Sequence, residues 1–180
     1  MSILEKLFGS KSSAAAEEAG DTETVRRIVG RLESLEPEQA RFIAAFAYIL
    51  GRVAHADRHI SEQETLAMEE IVLQLGHLPE DQAILVVQIA KSQNQLFGGT
   101  ENFLVTREFR DLASREQRQE LLDCLFAVSV ADDSISTVEE NQIRQISSEL
   151  GFTHGEYVAK RGKYSDKREV MRSFRKSREK

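Results

Sequence analysis

Two stretches of this chain repeat each other at a constant offset of 75 residues. Ala56-Asp57-x-x-Ile60-Ser61-x-x-Glu64 returns as Ala131-Asp132-x-x-Ile135-Ser136-x-x-Glu139. The same offset pairs Val53 with Val128, Ile71 with Ile146, Leu75 with Leu150 and Gly76 with Gly151. Apolar residues at helical spacing flank each motif, and a glycine stops each copy. The chain is thereby constrained to a duplicated helix-loop-helix unit with a carboxylate in each loop. Two helical hairpins related by pseudo-twofold symmetry are the expected result.

Helical periods continue on both sides of the repeat. Asp21 or Thr22 is suited to cap a first helix reaching roughly Leu35. Glu36-Pro37-Glu38 starts the next, with proline in the first turn and acids at the positive helix end. Its apolar stripe is Phe42, Phe46, Ile49, Leu50 and Val53. After the first loop, Met68, Ile71, Val72 and Leu75 point inward, and Gly76 stops the helix. Pro79-Glu80-Asp81 opens a helix whose run from Ala83 to Ala90 is apolar all round, as a central, enclosed helix requires. Gly98-Gly99 breaks the chain, and Thr100 is suited to cap a helix holding Phe103, Leu104 and Phe109. Ser114-x-x-Gln117 is a capping-box pattern leading into Leu121, Leu122, Leu125, Phe126 and Val128. No stretch alternates as a strand does. The expected fold is all-α, with seven to eight helices.

A chain of 180 residues suits one domain able to bury about 70% of its unfolded surface. No apolar run approaches the ~18 residues that span a bilayer. The opening Met1–Phe8 is too short, and Glu5 too acidic, for a secretory signal. A single cysteine, Cys124, excludes an internal disulfide and fits a reducing compartment. Cytoplasmic location is expected, with peripheral contact at the inner membrane as an extension of it. Three regions follow from composition. Residues 1–20 read as a short apolar N-terminus and flexible linker, 21–157 as the helical domain, and 158–180 as a basic tail, partly helical or disordered. The tail carries a net +7 within a chain of net −6, leaving −13 for the rest. Such a division suits cations or basic partners at the body and an anionic membrane surface or protein at the tail. Nucleic acid is not an expected partner.

The repeated loop has a structural reading and a chemical one. Structurally, Ser61-x-x-Glu64 and Ser136-x-x-Glu139 are capping boxes, with Ile60 and Ile135 placed for a hydrophobic staple. That explains every repeated position except Asp57 and Asp132, which fit Asx-turns. Chemically, carboxylates and hydroxyls are hard oxygen ligands for Ca²⁺ or Mg²⁺. If the loops meet, Asp57, Glu64, Asp132, Asp133, Glu139 and Glu140 crowd one face, which is costly unless protons or a divalent cation offset the repulsion. His55 and His59 beside Asp57 extend the choice to Zn²⁺. The loop is not an EF-hand. Counting from Asp132, the sixth residue is Thr137 rather than glycine and the twelfth is Ile143 rather than glutamate.

Nothing in the chain forms a nucleophile elbow, a phosphate-cradling glycine loop or a His-Glu-x-x-His zinc site. Cys124 lies on a core-type helix face, where a thiol is buried and inert. No enzyme activity is expected.

The segments from Val53 to Glu64 and from Val128 to Glu139 resemble the paired "Ala-Asp-Gly-x-Ile-Ser-x-x-Glu" motifs of TerB-like proteins. That family includes bacterial tellurite-resistance TerB and is similar to the N-terminal domain of DjlA-type co-chaperones. The resemblance covers about residues 22–157. It implies an all-helical pseudo-symmetric domain whose clustered acids bind metal. It further implies a non-enzymatic scaffold that engages a protein partner in stress-response assemblies near the inner membrane. The motif's usual glycine is Arg58 in one copy and Asp133 in the other. The His-Pro-Asp tripeptide of a J-domain is absent, which argues against a complete co-chaperone. Two alternatives stand beside this reading: a metal-free structural interaction module, and a peripheral membrane adaptor using Met1–Phe8 and the basic tail.

Overall fold

In a computed structural model, residues 17–54, 60, 62–92, 99–131 and 135–164 are described. They form eight helices and no strand: α1 (Glu17–Glu33), α2 (Pro37–Ala54), α3 (Glu62–Leu75), α4 (Glu80–Ser92), α5 (Gly99–Leu112), α6 (Arg115–Ala131), α7 (Thr137–Glu149) and α8 (154–164). The fold is all-α, as the periodicity requires. The expected helices at residues 1–8 and in the distal tail lie outside the described residues.

Three boundaries differ from expectation. Helix α1 begins at Glu17, ahead of Asp21 and Thr22; Glu17, Glu18 and Ala19 are good helix formers, and this propensity outweighs the cap preference. Thr100 lies inside α5, which starts at Gly99. Helix α8 runs across the expected domain end at 157 and reaches 164. Tyr157 and Tyr164, seven residues apart, are 4% and 7% exposed and belong to the core. The basic residues between them mask this stripe in the sequence.

The centre is α2. Its residues from Ile43 to Leu50 are all buried, so the stripe expected from Phe42 to Val53 is only part of what is enclosed. Ala44, Ala45 and Ala47 occupy the other side, where small side chains let neighbouring helices approach. Helix α2 consequently packs on α4, α5, α6 and α7. Helix α4 is enclosed as expected, burying Ala83, Leu85, Val86, Val87, Ile89 and Ala90 against α2 and α3. Phe42, Phe46 and Phe109 form an aromatic cluster between α2 and α5, with ring centroids 5.1–6.1 Å apart. A second cluster joins α6 to α8, where Phe126 stacks on Tyr164 at 5.4 Å and meets Tyr157 at 5.8 Å.

The two repeated glycines end their helices by different means. Gly151 has φ +84, and Phe152 and Gly151 donate backbone hydrogen bonds to Ser147 O and Ser148 O. This is a Schellman motif, whose left-handed residue is best supplied by glycine. In the first copy the left-handed residue is His77, at φ 50, and not Gly76. Gly76 is needed for space instead, since an added Cβ would lie 2.6 Å from Val72 O.

Candidate functional site

The second loop enters α7 through the capping box anticipated from its sequence. Ser136 Oγ accepts from the Glu139 amide at 3.2 Å, and Glu139 Oε2 accepts from the Ser136 amide at 2.7 Å. Glu139 is 7% exposed, so its carboxylate is committed to anchoring the loop. Ser136→Ala is expected to cost about 1 kcal/mol. Glu139→Gln retains an acceptor at the third helical position and is expected to cost less; urea unfolding of both variants checks the order. Glu140, the neighbouring candidate, pairs with Arg161 of α8 at 2.9 Å. Glu64 is half-buried in the first turn of α3. Asp57, Asp132 and Asp133 lie outside the described residues, as do His55, Arg58, His59 and Ser61. Among the described residues, no three His, Cys, Asp or Glu side chains converge on a metal-sized site.

What the described residues establish is the relative placement of the loop ends. Helices α3 and α6 run antiparallel. Cys124 Sγ lies 3.9 Å from Ile71 O, and four residues earlier in α6, Glu120 meets His77 at 3.1 Å. The start of α3 at Glu62 and the end of α6 at Ala131 thus lie toward the same end of this antiparallel pair. The first loop therefore rejoins the bundle at the end from which the second loop departs.

A buried polar network ties this frame together, and no sequence motif announces it. Arg52, in the last turn of α2, donates from Nη1 to Glu149 Oε2 at 3.1 Å and to Thr106 Oγ1 at 2.8 Å. The Arg52 and Glu149 side chains are 6% and 8% exposed. Thr106 in turn donates to Asn102 O, and Gln145 donates to Glu149 Oε1. Helices α2, α5 and α7 are joined in this way close to the first loop. Elsewhere, Lys160 of α8 pairs with Asp123 of α6, which also accepts from Tyr164 Oη at 3.1 Å. Burial holds the Tyr164 hydroxyl well above its usual pKa, with the Asp123 charge adding to the effect.

A further capping box forms at a position not singled out from the sequence. Thr153-x-x-Glu156 opens α8, with the Thr153 amide donating to Glu156 Oε2 at 2.8 Å and the Glu156 amide to Thr153 Oγ1 at 3.3 Å. The bonds from Thr153, backbone first and hydroxyl second, pull the Glu156 carboxyl below its ordinary pKa, and Arg115 adds to them. The Ser114-Gln117 box at the start of α6 forms as expected. Cys124 is fully buried, and that burial, with Asp123 and Glu120 nearby, pushes its thiol far up in pKa. A neutral, enclosed thiol of this kind is not a nucleophile.

No described helix is long and apolar enough to cross a membrane. Searches of characterised proteins and of solved structures find no significant match. A family model described as tellurite resistance protein TerB matches residues 42–162. The matched span takes in both copies of the repeat, most of α2, all of α3 to α7 and most of α8. Covering about two thirds of its length, the match shows that the chain belongs to the TerB family and contains a tellurite-resistance-type domain.

Proposed function

We propose that the chain is a non-enzymatic scaffold of the tellurite-resistance type that holds a divalent cation between its two acidic loops. Asp57, Asp132 and Asp133 are the ligands in this reading. Glu139 and Glu140 act instead as frame, the first through its cap and the second through Arg161. What supports the reading is the antiparallel packing of α3 on α6, which sets Glu62 and Ala131 toward the same end of that pair. Both loops also follow helix C-termini, whose carbonyl ends favour positive charge. Bound there, Ca²⁺ or Mg²⁺ would neutralise the repelling carboxylates and stiffen the surface offered to a protein partner in a stress-response assembly. Zn²⁺ is a weaker fit, because carboxylates dominate the donor set.

Calorimetric titration of the full chain with Ca²⁺, Mg²⁺, Mn²⁺ and Zn²⁺ tests the proposal. A saturable heat and a raised melting temperature are expected for a hard cation, both abolished by Asp57→Asn with Asp132→Asn. At a free cation concentration 100 times Kd the stabilisation would be about 2.7 kcal/mol. Absence of any metal-dependent shift in the unsubstituted chain would exclude the cation.

The commitment of Glu139 to capping favours a second reading, in which the motif is structural and the module binds its partner without metal. Under that reading Ser136→Ala destabilises more than Asp132→Asn, with or without added cation.

A further inference from the structure

We propose that the cleft between α7 and the start of α8 binds the phosphate group of a small molecule, at a site separate from the acidic loops. The cleft encloses about 500 Å³ and is lined by Arg144, Ser147, Phe152, Thr153, His154 and Tyr157, among others. Four observations converge on an anion there. Ser147 is 1% exposed, yet its hydroxyl has no hydrogen-bond partner. A buried hydroxyl left unpaired is costly, and one lining a cleft is satisfied by a ligand acceptor.

The second observation is the helix start. The box at Thr153 and Glu156 occupies the amides of those two residues. The intervening amides of His154 and Gly155 keep their outward direction at the positive end of α8, an arrangement suited to phosphate oxygens. Gly155 leaves that approach open, since an added Cβ would meet nothing closer than Thr153 Oγ1 at 4.0 Å.

The third is charge. The carboxylates nearest this end are already countered, Glu156 by Arg115 and Glu140 by Arg161. Arg144 binds only the neutral Asn141 Oδ1, at 3.1 Å, and has no carboxylate partner among the described residues. An uncompensated guanidinium thus stands at the cleft of a chain with net charge −6. The fourth is shape. Phe152 and Tyr157 supply aromatic walls, with His154 stacked on Tyr157 at 6.2 Å. A phosphate on a flat organic group would use both the polar end and these walls.

The test is amide chemical-shift titration of the full-length protein with phenyl phosphate and with inorganic phosphate, at constant ionic strength and with chloride as control. Saturable shifts at Ser147, His154 and Gly155 are expected, with Kd below about 10 mM. Arg144→Ala is expected to weaken binding about tenfold, through loss of a charge-assisted bond. Ser147→Ala should weaken it about fivefold without lowering the melting temperature, an outcome that a purely structural hydroxyl would not give. Tighter binding of phenyl phosphate assigns the site to an organic phosphate, and binding of inorganic phosphate alone assigns it to the free ion. Both outcomes sustain the site. Shifts that chloride reproduces, or that survive Arg144→Ala unchanged, overturn it.

Discussion

Arg52→Met is expected to destabilise the protein by about 3–5 kcal/mol, because it strands the Glu149 carboxylate in the interior without its counter-charge. The pair is 6% and 8% exposed, so solvent offers little compensation. In a domain of this size the loss corresponds to a fall in melting temperature of about 10 °C. The double variant Arg52→Met with Glu149→Leu should recover most of it, since apolar replacements of similar volume often match or exceed a buried pair. One detail strengthens that expectation. Arg52 uses Nη1 for both Glu149 and Thr106, while its buried Nε has no partner. The native pair is therefore already incompletely satisfied, and a hydrophobic substitute has less to match. Thermal unfolding of the three proteins decides the matter. A double variant as unstable as the single would show that the network contributes through packing rather than charge.

The second large effect concerns the repeated glycines, where equivalent sequence positions have unequal physical duties. Gly76→Ala would set a Cβ 2.6 Å from Val72 O, 3.4 Å from the Phe46 ring and 3.5 Å from Cys124 Sγ. The first of these is backbone, so relief requires the end of α3 to move against α2 and α6. A cost of about 2–3 kcal/mol is expected, in the upper range for overpacking. Gly151→Ala meets only flexible arginine side chains, at 3.6 and 3.8 Å. Its penalty is the left-handed conformation at φ +84, about 1–2 kcal/mol. Denaturant unfolding should therefore rank Gly76→Ala as the more damaging. Equal losses would contradict this division between space and conformation.

Both predictions bear on how much of the molecule could be read in advance. The helices, the duplication, the Ser136–Glu139 box and the Ser114–Gln117 box were all legible. The buried Cys124 was also legible from its place on an apolar helix face. The repeat marked Gly76 and Gly151 as equivalent stops, and only their dihedrals and neighbours separate them. The apolar stripe of α2 was readable, but not that Ala44, Ala45 and Ala47 would be enclosed as well. An alanine face carries no sign of which helix will cover it. At α5 the difference runs the other way, since Phe103 and Leu104 are 49% and 46% exposed while Phe109 is buried. Periodicity identifies a helix face, but the neighbours present decide how far along that face the core extends.

Of the acids nominated for a cation, Glu139 and Glu140 acquired protein partners. Glu139 was visible as a cap from its spacing to Ser136. Glu140 was not, because its partner Arg161 belongs to a stretch set apart as tail. Tyr157, Lys160 and Tyr164 tie that same stretch to α6 and to the core.

By itself the sequence determined the class of fold, the duplication and the caps, because these depend on interactions within about four residues along a helix. Tertiary structure alone decided that Arg52 meets Glu149 across 97 residues and that α3 and α6 pack antiparallel. It also decided that Ser147 and Arg144 share a cleft with the start of α8. Such pairings depend on how helix faces dock, and local periodicity leaves many dockings open. Packing selects among them by burying the apolar faces while keeping the buried charges paired.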